Sequence, residues 1–265
     1  MALAGVVTAA TKSTIDTKDT ALVSYFNYAE GNSQTAGTAS GWGELMAWNE
    51  EGQYGTTGSQ NCMYTNGGIN FSMKDSGGFT FSFDINNITQ TGTILTLMTN
   101  NGSAGIAGSP IWRGMRVEIA QNNDTENNDT GAYTLSALIG DKTLNVDLGT
   151  EISWTTLTLV GTANTAGVTE DNQLTMDFGI YVNGELSASY TNYGAWNFVA
   201  EPLNKVQFGY WGDSSKNTQL DIDNVLIYSR PLSADEVKAL TIPEPTTATL
   251  SLLALAGLAA RRRRK

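Results

Sequence analysis

Across residues 21–241 the dominant spacing of apolar positions is two. In Gly78–Asn86, Phe79, Phe81, Phe83 and Ile85 alternate with Thr80, Ser82, Asp84 and Asn86. Successive side chains of a strand point to opposite faces, so this run carries four apolar groups on one face and polar groups on the other. The pattern recurs at Met115, Val117 and Ile119, at Tyr133, Leu135, Ala137 and Ile139, and at Leu144, Val146 and Leu148. A Thr-rich run from Trp154 to Val160 follows, with Trp154 expected in the core. The longest alternation, Leu174, Met176, Phe178, Ile180 and Val182, runs into Asn183-Gly184. Asn-Gly after such a run predicts a two-residue hairpin, because both turn positions need positive φ, and Glu185–Thr191 is the return strand. Val206, Phe208 and Tyr210 mark another strand, and Leu220–Tyr228 the last. About a dozen strands joined by Gly-, Asn-, Asp- and Thr-rich turns predict an all-β protein, a two-sheet antiparallel sandwich or jelly roll. The one helix signal follows directly: Ser233-Ala234-Asp235-Glu236 is a capping box, with Val237 and Leu240 on one face. No internal repeat or long linker interrupts this stretch, so residues 21–240 read as one domain.

Composition narrows the chemistry. The chain has 265 residues, no histidine and one cysteine. Without histidine there is no Ser-His-Asp or Cys-His triad and no His-ligated zinc. Cys62 alone closes no internal disulfide and reads as a small buried hydrophobe. The net charge of −11 argues against nucleic acid as a partner, since phosphate binding needs clustered Lys and Arg. The charge is unevenly placed. The last five residues, Arg261, Arg262, Arg263, Arg264 and Lys265, are all basic, which leaves ten bases against 25 acids in residues 1–240, a net −15.

The basic tip closes a distinct tail, residues 241–265. Thr246–Ala260 is a run without charge, rich in Leu and Ala. As a helix it spans about 22 Å at 1.5 Å per residue, short of the roughly 30 Å hydrocarbon core. A buried terminal helix gains nothing from ending in five cations, whereas a membrane segment gains orientation from them. Pro243-Glu244-Pro245, the short apolar run and the Arg run together resemble the PEP-CTERM sorting signal of Gram-negative bacteria. The resemblance implies a short C-terminal transmembrane helix held transiently in the inner membrane. It also implies a membrane-bound exosortase as partner, with processing near the Pro-Glu-Pro motif and delivery to the cell surface or extracellular matrix. Export would come first. Ala2–Ala10 is mostly apolar and contains a cleavage-like Val7-Thr8-Ala9, so residues 1–20 read as a truncated signal peptide and lead-in, although a basic n-region is lacking.

The segment LTMDFGIYVNGELSASY, followed by VQFGYW and LDIDNVLIYSRPLSADEVKAL, resembles the C-terminal half of a LamG-like domain. Ile222, Asp223, Val225, Tyr228, Arg230, Leu232 and Ser233 follow that family's typical ending in order. The resemblance implies a concanavalin A-type jelly roll that binds carbohydrate, protein or matrix, sometimes with calcium. The catalytic relatives of this fold, laminarinase-like glycosidases, carry Glu-x-Asp-x-x-Glu on one strand. Aligned on Asp223, Asp221 stands at the first position and Leu226 at the last. Asp221 and Asp223 share a strand face, but a third carboxylate is missing from that strand, so the chain is read as not an enzyme and without catalytic residues.

Two sets of residues carry the remaining chemistry. Asn122–Gly131 reads NNDTENNDTG, and Asp124, Glu126 and Asp129 supply the hard oxygens that calcium takes; a solvated hairpin loop explains the segment equally well. No other cofactor is indicated. For glycan, loop aromatics that stack on a pyranose ring are the useful groups, and Trp112, Trp196 and Trp211, with Asp213 nearby, are the candidates. The expectation is an exported, surface-associated, non-catalytic binding or adhesion module for glycan. The alternatives are a structural component of a matrix or capsule without a specific ligand and, third, a diverged glycosidase.

Overall fold

The structure is a computed structural model. It describes residues 15–27, 36–37, 42–43, 47–48, 55–56, 64–65, 73–99, 114–122, 131–139, 142–164, 175–193, 203–208 and 218–241. Its strands, in chain order, are β1 (Leu22–Phe26), β2 (Trp42–Gly43), β3 (Ala47–Trp48), β4 (Gly55–Thr56), β5 (Tyr64–Thr65), β6 (Gly78–Gln90), β7 (Gly92–Thr99), β8 (Gly114–Gln121), β9 (Tyr133–Ile139), β10 (Lys142–Gly149), β11 (Thr155–Asn164), β12 (Thr175–Val182), β13 (Glu185–Tyr193), β14 (Leu203–Phe208) and β15 (Gln219–Tyr228). Helix α1 (Met73–Ser76) is a single turn before β6, and α2 (Ala234–Ala239) follows β15.

The strands form two antiparallel sheets, as expected of an all-β sandwich. The first has the order β13-β12-β11-β6-β15-β4-β3, with β1 also paired to β15; the second has the order β10-β9-β8-β7-β14-β5-β2. Inward positions of both sheets make one core. Phe79, Phe81, Phe83 and Ile85 of β6 meet Leu95 and Leu97 of β7, Val117 and Ile119 of β8, and Val206 and Phe208 of β14. Phe83 and Phe208 stack edge-to-face across the sheets at 5.8 Å, a favoured aromatic geometry.

A smaller cluster lies on the outer face of the first sheet. There Leu22, Tyr25, Val160, Leu226, Tyr228, Leu232, Val237 and Leu240 pack together, with Ile15 against them. Helix α2 thus lies across the back of β11 and β12, and packing reaches back to Ile15.

Most of the periodic runs became strands, and the exceptions have physical causes. Gly92–Thr99 is a central strand that period two does not reveal. A register shift between Thr93 and Leu95 breaks the alternation, so both Ile94 and Leu95 are buried. Strand β1 is buried along its whole length because α2 and the small cluster cover its second face, which also removes the polar–apolar signal. Trp154 was expected in the core; it precedes β11 and is only half-buried. Tyr210 lies outside the described residues, and β14 ends at Phe208.

Candidate functional site

The antiparallel registers sort the connections among β6–β15 to one of two ends. The β12–β13 hairpin turns at Asn183-Gly184, with Val182 opposite Glu185. Positive φ at both residues, 49° and 82°, gives the turn expected of Asn-Gly. At this end also lie the β6-to-β7 step at Thr91, the foot of the β8–β9 hairpin, where Gln121 faces Tyr133, and the end of β14 and start of β15. The opposite end holds the end of β7 and start of β8, with Met98 opposite Gly114, and the start of β14, with Leu203 opposite Thr99.

The last described residue, Thr241, lies at the turn end. Ser233 Oγ accepts from the Glu236 amide, and the Glu236 carboxylate accepts from the Ser233 amide, so the capping box is formed. The Thr241 amide and hydroxyl both donate to the Lys238 carbonyl, at 3.2 and 2.9 Å. Gly184 sits beneath them: a Cβ there would lie 2.6 Å from Thr241 Cγ2 and 3.0 Å from Lys238 Cα. Lys238 Nζ reaches Glu185 Oε1 at 3.1 Å. At the other end of α2, Arg230 bonds both Asp19 Oδ2 (2.8 Å) and Glu236 Oε1 (2.7 Å) and lies over the Tyr228 ring. The Arg230 hydrogen bond, seconded by the Ser233 amide, holds the Glu236 carboxyl down at about 2. Burial, seconded by the Asp19 charge, pushes the Tyr228 phenol up to about 12.

A polar network occupies the outer face of the first sheet beside the small cluster. Asp84 accepts from Thr156 Oγ1 at 2.7 Å and from Asn224 Nδ2 at 2.8 Å. Tyr25 OH donates to Asn224 Oδ1 at 3.2 Å, and Asp223 Oδ1 accepts the Asn224 amide at 2.6 Å. A bulge between Asp223 and Leu226 places Asn224 at φ 47° and aims its amide at β6. Asp221 and Asp223 do share a face, as the spacing predicted, and the register sets Asp84 directly opposite Asp223. Asp84 is the carboxylate that a search along one strand misses. It was visible only as a polar position in the β6 alternation, 139 residues away in sequence. The exposures of Asp84, Asp221 and Asp223 are 0%, 5% and 1%.

The residues singled out by sequence, Trp112, Trp196, Trp211, Asp213, Asp124, Glu126, Asp129 and the tail from Pro243, lie outside the described residues. Their flanking strands nevertheless divide them. Residues 100–113, which include Trp112, join Thr99 to Gly114, and residues 194–202, which include Trp196, join Tyr193 of β13 to Leu203 of β14. Both therefore connect strand ends opposite the turn, the first between the neighbouring strands β7 and β8 of the second sheet, the second between β13, an edge strand of the first sheet, and β14 of the second. Residues 209–217, with Trp211 and Asp213, join β14 to β15 at the turn end. The acidic loop closes there as well, with the Asn122 amide donating to the Ala132 carbonyl at 2.9 Å. Among the described residues, no group of three or more Cys, Asp or Glu is arranged to hold a metal. Among the same residues, no helix is long and apolar enough to cross a membrane.

Residues 241–265 match the PEP-CTERM protein-sorting motif, so the tail is such a motif, and its first residue, Thr241, is the last of the described residues. No curated protein matches the sequence. Among solved structures, the chain is similar to the binding domain of botulinum neurotoxin DC in complex with SialylT, at 15% identity and a TM-score of 0.53, covering 85% of this chain and 52% of that one. It is also similar to the receptor binding domain of the botulinum neurotoxin C/D mosaic serotype, at 15% identity and a TM-score of 0.50, covering 82% and 50%. A third match is domain 4 of AbnA, a GH43 extracellular arabinanase from Geobacillus stearothermophilus, in complex with arabinotriose. That match has 16% identity and a TM-score of 0.46, covering 83% and 98%. The chain spans about half the length of the neurotoxin binding domains it matches. At such identities the likeness is one of fold. The fold and the tail together define a β-sandwich protein that carries a PEP-CTERM sorting motif.

Proposed function

We propose that this protein is an exported, cell-surface-associated, non-catalytic binding module for glycan, sorted through its tail by an exosortase-type enzyme of the inner membrane of a Gram-negative bacterium. The observation that carries the reading is the division between the two ends. The connections bearing Trp112 and Trp196 join strand ends on one side of the sandwich, and the last described residue before the sorting segment, Thr241, is at the other. A ligand bound between those connections would face away from the tether, as an adhesive surface must. The SialylT complex of a structural neighbour supports carbohydrate as the ligand class, and the burial of Asp84, Asp221 and Asp223 supports a role without catalysis.

A glycan array with the chain ending at Thr241, which retains every residue of the described packing, tests this. Binding should be lost in Trp112→Ala and Trp196→Ala and retained in Trp211→Ala. A flat array at high protein concentration would favour the structural component of a matrix or capsule. Release of reducing sugar from laminarin-type substrates, abolished by Asp223→Asn, would overturn the non-catalytic reading.

A further inference from the structure

Sorting motif and folded body meet without a linker. Leu240 is buried in the small cluster, Thr241 is bonded to Lys238 and seated over Gly184, and only Ile242 separates Thr241 from Pro243. The four residues 242–245 span at most about 14 Å when extended. A body tethered by them to an apolar segment starting at Thr246 has its turn end against the lipid headgroups, a layer of roughly 5–8 Å on each side of the hydrocarbon.

Resting on the sorting reading above, we propose that the Asn183-Gly184 turn and the last turn of α2 form the surface presented to the membrane-bound processing enzyme. We propose further that α2 is a latch which must undock before the Pro-Glu-Pro segment can be threaded. Enzymes and receptors commonly take peptides as extended strands, at about 3.3 Å per residue. Proline, and the residue before it, favour extended backbone, so Ile242–Pro245 suits such binding. An enzyme that grips four residues upstream of Pro243, however, needs Ala239, Leu240 and Thr241, which the body holds at helical rise and in its own packing.

The latch is weak enough to open. It is a six-residue helix held by a capping box, by the Arg230 fork to Asp19 and Glu236, and by the burial of Val237 and Leu240. Short terminal elements of this kind occupy the low end of local stability. Processing speed then reports how often α2 lets go.

The test follows cleavage of the full-length chain by pulse labelling in a host that carries the processing enzyme. Ser233→Ala removes the cap and should speed processing about fivefold, the size of a typical lost N-cap. Six Gly/Ser residues inserted between Thr241 and Ile242 should speed it at least as much and abolish the effect of Ser233→Ala. Wild-type rates in both variants, with processing blocked when Pro243, Glu244 and Pro245 are all replaced by Ala, would overturn the latch and leave the sorting reading standing. Undiminished processing in the triple replacement would overturn both. If Ser233→Ala fails to fold, the insertion, which touches no packed residue, decides alone.

Discussion

Gly184→Ala probes the junction between turn and helix most sharply. Gly184 has φ 82°, a region that costs an L-residue about 1–2 kcal/mol. Its added Cβ would also fall 2.6 Å from Thr241 Cγ2 and 3.0 Å from Lys238 Cα. The methyl can rotate away, but the Lys238 backbone moves only if the last turn of α2 lifts and exposes part of Leu240, whose full burial is worth about 1.5–3 kcal/mol. The expected loss is therefore about 2–4 kcal/mol. Gly149→Ala separates the two contributions, because Gly149 has nearly the same φ, 77°, and nothing within 4 Å of the added Cβ. It should cost only the backbone share, about 1–2 kcal/mol. The measurement is urea denaturation of the chain ending at Thr241, comparing midpoints at constant m. A Gly184→Ala midpoint no lower than that of Gly149→Ala would refute the claim that α2 is seated on this turn.

Two further predictions concern the back of the first sheet. Thr156→Val keeps shape but withdraws the hydroxyl from Asp84, so stability should fall by about 1–2 kcal/mol, the value of a hydrogen bond to a buried carboxyl less the gain from a methyl; a loss below about 0.5 kcal/mol would mean that the network does not depend on it. For acid stability, Glu236 titrates near 2 in the folded chain against an ordinary 4.5. Its contribution is thus complete above pH 4.5 and drains away as pH falls toward 2. The group is 44% exposed, so solvent screening keeps the amount small. Glu236→Gln should flatten that part of the stability–pH curve, and an unchanged slope between pH 4.5 and 2 would count against the Arg230–Glu236 pair as its source.

The glycan candidates illustrate what residue type alone can and cannot do. Loop aromatics at strand ends are recognisable from sequence, so Trp112, Trp196 and Trp211 form one class. Only strand direction separates the first two from the third, because β7, β8 and β14 must be paired before their ends can be compared. The same holds for the carboxylates: Asp221 and Asp223 are linked by local spacing, whereas Asp84 joins them through a register between strands far apart in the chain.

Features that depend on a few neighbouring residues were therefore settled by the amino-acid order: the alternation in β6 and β12, the Asn183-Gly184 turn, the Ser233–Glu236 capping box, and the tail with its Pro-Glu-Pro motif and Arg run. Each is dictated by backbone geometry or charge within one turn or one strand. The tertiary structure decided what rests on contacts between distant segments: the placing of β1 and β7, the burial of three carboxylates at the back of the first sheet, the seating of Thr241 on Gly184, and the separation of the two ends. Strand pairing and the covering of a polar face are energies shared between segments, and such energies exist only once the segments have met.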